Sequence, residues 1–403
     1  MKFNKLSQLF LVSILGLMVA ALLTSCAYVT IDYVFIANSA GSGAGSTGQI
    51  QTFDADSSTG ALRSGQPAVP SGGNDPVAMA ATADYSNLYV VNKASNNVVH
   101  FAIAGDGVLT QKDVVTTSAT PVSVAVNTAE TYLYVVSGPN PTVLTEYSLS
   151  SGAIGNMVQQ VTLSLPSYAT DTIIPTGVNV LANNGAVYVS AYDQSAYNPG
   201  GTTTSTANPG WVFGYAIASG GSLTLAVNSP YKAGVKPSAL VSDPTSRFVY
   251  VTDFASNELI GYTIQNGTTL DFLINGPFKT GNEPNAICID PRGFYLYVTN
   301  GLDSSVSAYV ISLATGTPSA AVNVTGSQTN TTDTTPVAVI VDPALGRYVY
   351  TANNLGNSVS GFRLNPTTGA LTPTQTTPYP TGAQPAALAA VPHGNHSLQT
   401  TSP

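Results

Sequence analysis

Glu283 and Asp75 are the two carboxylates whose positions in this chain are suited to acid–base chemistry. Each stands immediately before a proline, Pro284 or Pro76, that opens an apolar run. Matching positions elsewhere carry Thr120, Thr335, Gln384 or Lys236. A carboxylate at the rim of a cavity can take a proton from water where burial makes it more basic. On an open loop the same group is a solvated charge. Lys93 and Lys236 could hold a carboxylate-bearing ligand or offset the acids, and Asn282 and Asn300 could donate to a developing oxyanion. A second group comprises Tyr192, Asp193, Tyr197 and Trp211, the only tryptophan, around an insertion from Tyr192 to Gly210. Aromatic rings beside Asp side chains can stack on a sugar or clamp a small organic ligand, or pack on their own scaffold. Asp253 completes the candidate ligand-binding set. No His/Cys cluster has metal-ligand spacing, and His100, His393 and His396 fit no Ser/His/Asp order, so no metal or cofactor is expected.

The elements that must position these residues repeat. Prolines 76, 121, 175, 237, 284, 336 and 385 each open an apolar run, at spacings of 45, 54, 62, 47, 52 and 49 residues. A turn follows each run, and then, in all but the last copy, a strand of the Tyr-Val-x-Asn kind. Such a period, with several short strands in each unit, predicts an all-β fold: a seven-bladed β-propeller of four-stranded antiparallel blades. In the copy opened by Pro284, 285–289 is strand A, 295–299 strand B, 306–311 strand C and 320–324 strand D. The run from Pro385 has no strand B after it, and Tyr33–Asn38 is a strand B with no strand A before it. The two termini therefore complete one blade and leave no open edge. In this geometry the loops before each proline and after each strand B meet at one mouth of the central channel, where sites are commonly built. The Asn or Asp that recurs at the end of strand B reads as a turn cap, and Arg247, Arg292 and Arg347 recur in A–B turns as scaffold.

Charged residues are only 8% of the 403-residue chain, and the formal net charge is −8. This excludes a nucleic-acid partner, which needs clustered Lys and Arg. Lys2 and Lys5, the apolar run Leu9–Leu23 and Leu23-Thr24-Ser25-Cys26 read as a lipoprotein leader. The expected organisation is a signal peptide 1–25, a linker 26–32 lipidated at Cys26, a propeller 33–391 and a polar tail 392–403. The chain is expected in the cell envelope, exported, monomeric and lipid-anchored. Cys288, inside an apolar run, reads as a small buried hydrophobe, and no disulfide framework is possible.

The runs Asp290-Pro291-Arg292-Gly293, Leu296-Tyr297-Val298-Thr299-Asn300, Ser305-Val306-Ser307-Ala308-Tyr309 and Ser358-Val359-Ser360-Gly361-Phe362 carry a resemblance. Over roughly residues 30–391 the chain resembles the seven-bladed β-propeller lactonase family, which includes prokaryotic 6-phosphogluconolactonases and fungal carboxymuconate-lactonising enzymes. It is also similar to the Tyr-Val-Thr-Asn repeat propellers of prokaryotic surface proteins. The resemblance implies the propeller fold and a site at the channel mouth. Phosphogluconolactonase-like members commonly place His and Arg after the blade-opening proline. Here those positions are Val77, Val122, Thr176, Ser238, Asn285, Val337 and Ala386, so 6-phosphogluconolactonase activity is not expected. Two functions follow. The first is a lipid-anchored surface module binding a glycan, peptide or envelope protein. The alternative is an extracytoplasmic lactone hydrolase or cycloisomerase with Glu283 or Asp75 as general base.

Overall fold

The computed structural model describes residues 29–39, 47–165, 172–197 and 209–394. The leader with Cys26, most of the insertion after Tyr197, and the tail beyond Gly394 with His396 lie outside the described residues. The described residues form seven antiparallel sheets arranged as a propeller. Strands A to C of blade 6 are Pro284–Ile289, Tyr295–Asn300 and Ser305–Ile311. Blade 1 closes the ring as the sequence predicts: Thr30–Asn38 pairs with Pro385–Pro392, with Phe35 opposite Ala389.

The repeated tyrosine of strand B acts as a bolt between blades. Tyr89, Tyr188, Tyr250, Tyr297 and Tyr350 are buried, and each hydroxyl donates to a carbonyl in the C–D turn of the next blade: Gly152, Thr268, Gly316, Gly369 and Gly60. The turn glycines are required. Gly60 and Gly369 have φ of 69° and 72°, and an added Cβ would lie 2.2 and 2.3 Å from the Tyr348 and Tyr295 rings.

The outer strand departs from expectation. In blade 6 the predicted strand 320–324 is instead two short pieces, Pro318–Ala320 and Thr329–Thr331, and Val324 is 97% exposed. The cause lies opposite the tyrosine. Ala308, paired with Tyr297, leaves room for the chain to dip inward, and Ala321 donates its N–H to the Ala308 carbonyl at 3.0 Å. Gly214, Gly261 and Gly361 occupy the same place in blades 4, 5 and 7 and accept from Ala226, Leu273 and Thr374. Blades 2 and 3 put His100 and Glu146 there, and their outer strands, Leu109–Thr116 and Ala153–Thr162, stay whole. His100 is accordingly structural: it stacks on Tyr89 and meets Asp113 and Asn87 at 2.9 and 2.7 Å.

Glu146 is fully buried with one hydroxyl contact, from Tyr134 at 3.2 Å, and its Oε2 has no partner. Burial pushes its carboxyl up to about 7, against slight opposition from Tyr134. The folded protein therefore holds a proton that the unfolded chain releases above its ordinary carboxylate range. Stability from this group is complete at low pH and is lost as pH rises toward about 7. Glu146→Gln keeps the shape without the charge. It is expected to leave stability unchanged near pH 4 and raise it by roughly 3 kcal/mol at pH 8. Denaturant unfolding at the two pH values measures the difference, and a variant gain that is equal at both would discard this account.

Candidate functional site

At the mouth, the residue before each proline is tied to the end of strand B. The N–H groups of Lys93, Phe254, Gly301 and Asn354 donate to the carbonyls of Asp75, Lys236, Glu283 and Thr335 at 2.8–2.9 Å. Asp75 and Glu283 have φ of 56°, in the left-handed region, but so do Thr120 and Thr335 at 57° and 56°. That conformation belongs to the repeat and does not distinguish the acids.

All seven blades carry a β-bulge directly after the opening proline. The extra residue is Val77, Val122, Thr176, Ser238, Asn285, Val337 or Ala386, each half-buried at the inner rim. Bulges re-aim side chains beside sites. Ser238 Oγ donates to the Pro284 carbonyl of the next blade and meets Thr252 Oγ1 at 2.8 Å. Asn285 reaches the Pro336 carbonyl in the same way.

The structure separates the two candidate bases. Asp75 opens blade 2 and Glu283 opens blade 6, three steps apart around a seven-membered ring, so they do not form a dyad. Asp75 accepts from Ser39 Oγ at 3.3 Å, and Lys93 lies beside it in blade 2. Glu283 instead neighbours Lys236, its equivalent in blade 5. The Glu283 loop is held from several sides. Asn257 Oδ1 accepts its N–H at 2.8 Å, Asn282 is gripped by Asp303 through two bonds at 2.7 and 2.8 Å, and Gly281 donates to Asn300.

Lys236 sits among aromatic rings. Its Nζ lies 4.4, 5.2 and 5.7 Å from the ring centres of Phe254, Tyr197 and Tyr192, and the two tyrosines meet edge to face at 5.5 Å. Cation–π contact holds the ammonium in place without neutralising it. Burial, then the neighbouring Tyr197, pushes the Tyr192 hydroxyl pKa up. Tyr192 and Tyr197, one group in the sequence, thus converge with Lys236, which the sequence placed in another. Phe254 was missed although it departs from the small or polar residues that the other blades carry there, Ser39, Lys93, Gly138, Gln194, Gly301 and Asn354, and that departure was the signal that could have found it.

Other candidates are occupied by the scaffold. Asn300 is fully buried and donates to Ser305 and Ser307. Asp253 is 1% exposed and accepts the N–H groups of Val235, Lys236 and Ala255, so its carboxylate positions Lys236 from below. Asp193, also buried, caps Ser195. Trp211 lies on strand C of blade 4, Gly210–Ile217, with Lys232 Nζ 3.5 Å over its ring centre, so one face is covered. A cleft of about 210 Å³ on the outer flank of blade 5 is lined by Lys232, Glu258 and Phe272, but Glu258 is paired with Lys279. Cys288 is half-buried on strand A of blade 6 and not fully enclosed, and burial, then Asp290, pushes its thiol pKa up. Among the described residues no group of three or more His, Cys, Asp or Glu side chains is placed to hold a metal.

The channel wall is neutral. The seven inner strands carry no Asp, Glu, Lys, Arg or His. Any charge that reaches a ligand in the channel comes from the loops at its ends.

A search of curated proteins finds no match. Solved structures do match. A putative 6-phosphogluconolactonase from Bacteroides fragilis is 18% identical with a TM-score of 0.68, over 90% of this chain and 98% of that one. One from Bacteroides uniformis is 17% identical with a TM-score of 0.70, over 90% and 99%. A periplasmic gluconolactonase from Pseudomonas aeruginosa has the same four values. At such identities they share the fold alone. The sequence model described as "Lactonase, 7-bladed beta-propeller" matches residues 33–166 and 106–398, which together span nearly the whole ring. With the bulged blades and the single mouth they build, this match places the chain in the seven-bladed β-propeller lactonase family.

Proposed function

We propose that this protein hydrolyses a lactone at the channel mouth, over the junction of blades 5 and 6. The observation that carries the reading is that Lys236 and Glu283, an ammonium and a carboxylate, hold equivalent mouth positions in neighbouring blades with no ion pair between them, the ammonium resting among Tyr192, Tyr197 and Phe254. A lactone carbonyl between them would direct its oxygen at Lys236. Glu283 takes a proton from water as the water oxygen bonds to the carbonyl carbon. The resulting oxyanion is stabilised by Lys236. Collapse breaks the ring ester bond, and Glu283 returns the proton to the departing alkoxide, leaving a hydroxy acid. Asn257 and Asp303 position the Glu283 loop, and Asp253 positions Lys236.

The wall without cations argues against a phosphorylated substrate, which needs paired positive charge. The binding-module reading rested on the leader, the neutral mouth and the aromatic insertion, and the covered Trp211 ring weakens the last of these. Assay of the purified chain against a lactone panel tests the proposal. Turnover is expected, and Lys236→Met should lower kcat/KM by about 10²-fold, as loss of an oxyanion donor does. Asp75→Asn, on the far side of the ring, should leave it within about two-fold. No turnover of any lactone would remove the hydrolase reading.

We further propose that the protein acts outside the cytoplasm, anchored by a lipid on Cys26, on the strength of the leader residues Leu23-Thr24-Ser25-Cys26. Globomycin should cause the uncleaved precursor to accumulate. Cleavage that continues in its presence would discard the anchor.

A further inference from the structure

The neutral wall is divided, and the division is contiguous. The inner strands of blades 7, 1 and 2 are Pro336–Val341, Pro385–Pro392 and Pro76–Ala81. They read PVAVIV, PAALAAVP and PVAMAA, with no polar side chain between them. The inner strands of blades 3 to 6 carry Ser123, Thr176, Asn179, Ser238, Ser242 and Asn285, all half-buried. Two of these already donate across to the next blade, and Asn179 Oδ1 has no partner. Lys236 and Glu283 stand above the polar arc. One side of the channel can thus satisfy ester and hydroxyl oxygens, and the opposite side can only remove apolar surface from water.

We infer that the substrate is an amphipathic lactone: its ester ring lies over blades 5 and 6, and an uncharged alkyl or aryl substituent lies against the apolar arc of blades 7, 1 and 2. This rests on the hydrolase reading and narrows it. A polyhydroxylated sugar lactone would leave hydroxyls unsatisfied on the apolar side. A charged substituent would meet no counter-charge on the wall. The inner rim of the apolar arc is set by Val337 and Ala386, whose equivalents in blades 6 and 5 are Asn285 and Ser238. The repeat therefore supplies its own controls: Val337→Asn and Ala386→Ser copy residues that the same position accepts elsewhere in the ring.

The experiment compares γ-decalactone, γ-butyrolactone and glucono-δ-lactone with the full chain. The kcat/KM for γ-decalactone is expected to exceed that for γ-butyrolactone by about ten-fold or more, and glucono-δ-lactone should be the poorest. The double variant Val337→Asn/Ala386→Ser should bring the first ratio to within about three-fold of unity through loss of γ-decalactone turnover, with the thermal melt unchanged. Glucono-δ-lactone hydrolysed as well as γ-decalactone, or a ratio untouched by the double variant, would overturn the inference and leave the hydrolase reading standing. If no lactone is hydrolysed, the hydrolase reading fails. Calorimetry with γ-decalactone then decides the inference separately: binding that the double variant weakens by about ten-fold supports it, and equal or absent binding overturns it.

Discussion

Glu283→Gln is expected to lower kcat for lactone hydrolysis by about 10²–10⁴-fold while KM changes by less than about three-fold. The split follows from what the residue does. A carboxylate that only takes a proton from water contributes in the transition state and not to ground-state binding. Glutamine keeps the length and the hydrogen-bonding shape but cannot accept a full proton. The fold should be indifferent, because the loop is held by the Glu283 backbone and not by its side chain. Its N–H goes to Asn257, and its carbonyl accepts from Gly301. Asp303→Asn is the companion measurement. It loosens the grip on Asn282 and so the aim of Glu283, and a smaller loss, about ten-fold, is expected at unchanged melting temperature. Steady-state kinetics on both variants with one lactone suffices. A Glu283→Gln protein with parental kcat would show that another group activates the water.

The ring was legible because its physics repeats. In five of the seven blades the same strand-B tyrosine bolts to the next blade, in six a proline is the first residue of the inner strand, and both recur at fixed places in the sequence. The outer strands were not legible. Their break depends on whether a small residue or His100 or Glu146 faces the tyrosine across strand C, a pairing that appears only once the register is known. The placement of the candidate residues around the ring was legible only in part for the same reason. Departure from the repeat picked out Glu283, Lys236, Tyr192 and Tyr197, which the ring brings to neighbouring blades. The same criterion picked out Asp75, which the ring puts on the far side, since position along the chain does not reveal which blades face each other. Asn300 and Asp253 were read as able to reach a ligand, but residues far from them in sequence, Gly281 and Val235, claim their side chains.

Asp32 occupies the seam where the two ends of the chain close the ring, and Asp32→Asn is expected to stabilise the protein most at alkaline pH. Asp32 and Asp342 are both fully buried, and neither oxygen of Asp32 makes a hydrogen bond of normal geometry, with only Asp342 and the Ala344 amide close enough to act on it. Asp342 is amply supplied: it accepts the N–H groups of Leu345, Gly346, Arg347 and Tyr348. Asp32 is therefore the member that keeps a proton. Burial first, then the facing Asp342, hold its carboxyl well above the usual carboxylate range, and the Ala344 amide pulls weakly the other way. Tyr85 and Tyr350 also feel its charge, while the residues paired with it on the adjoining strands, Ala55 and Pro392, carry none. The folded state thus binds a proton that the unfolded chain releases above about pH 4, so this group's stabilisation is present in acid and lost as pH rises. Asparagine keeps a donor toward Asp342 and has no proton to lose. The gain should be near zero at pH 4 and about 1–3 kcal/mol at pH 8, the usual scale for an unsatisfied buried polar group. Denaturant unfolding measures it. Amide exchange localises it, because the ladder between Thr30–Asn38 and Pro385–Pro392 should open less often in the variant at pH 8. A closing blade whose exchange is equally protected in parent and variant at both pH values would mean that Asp32 does not govern the seam.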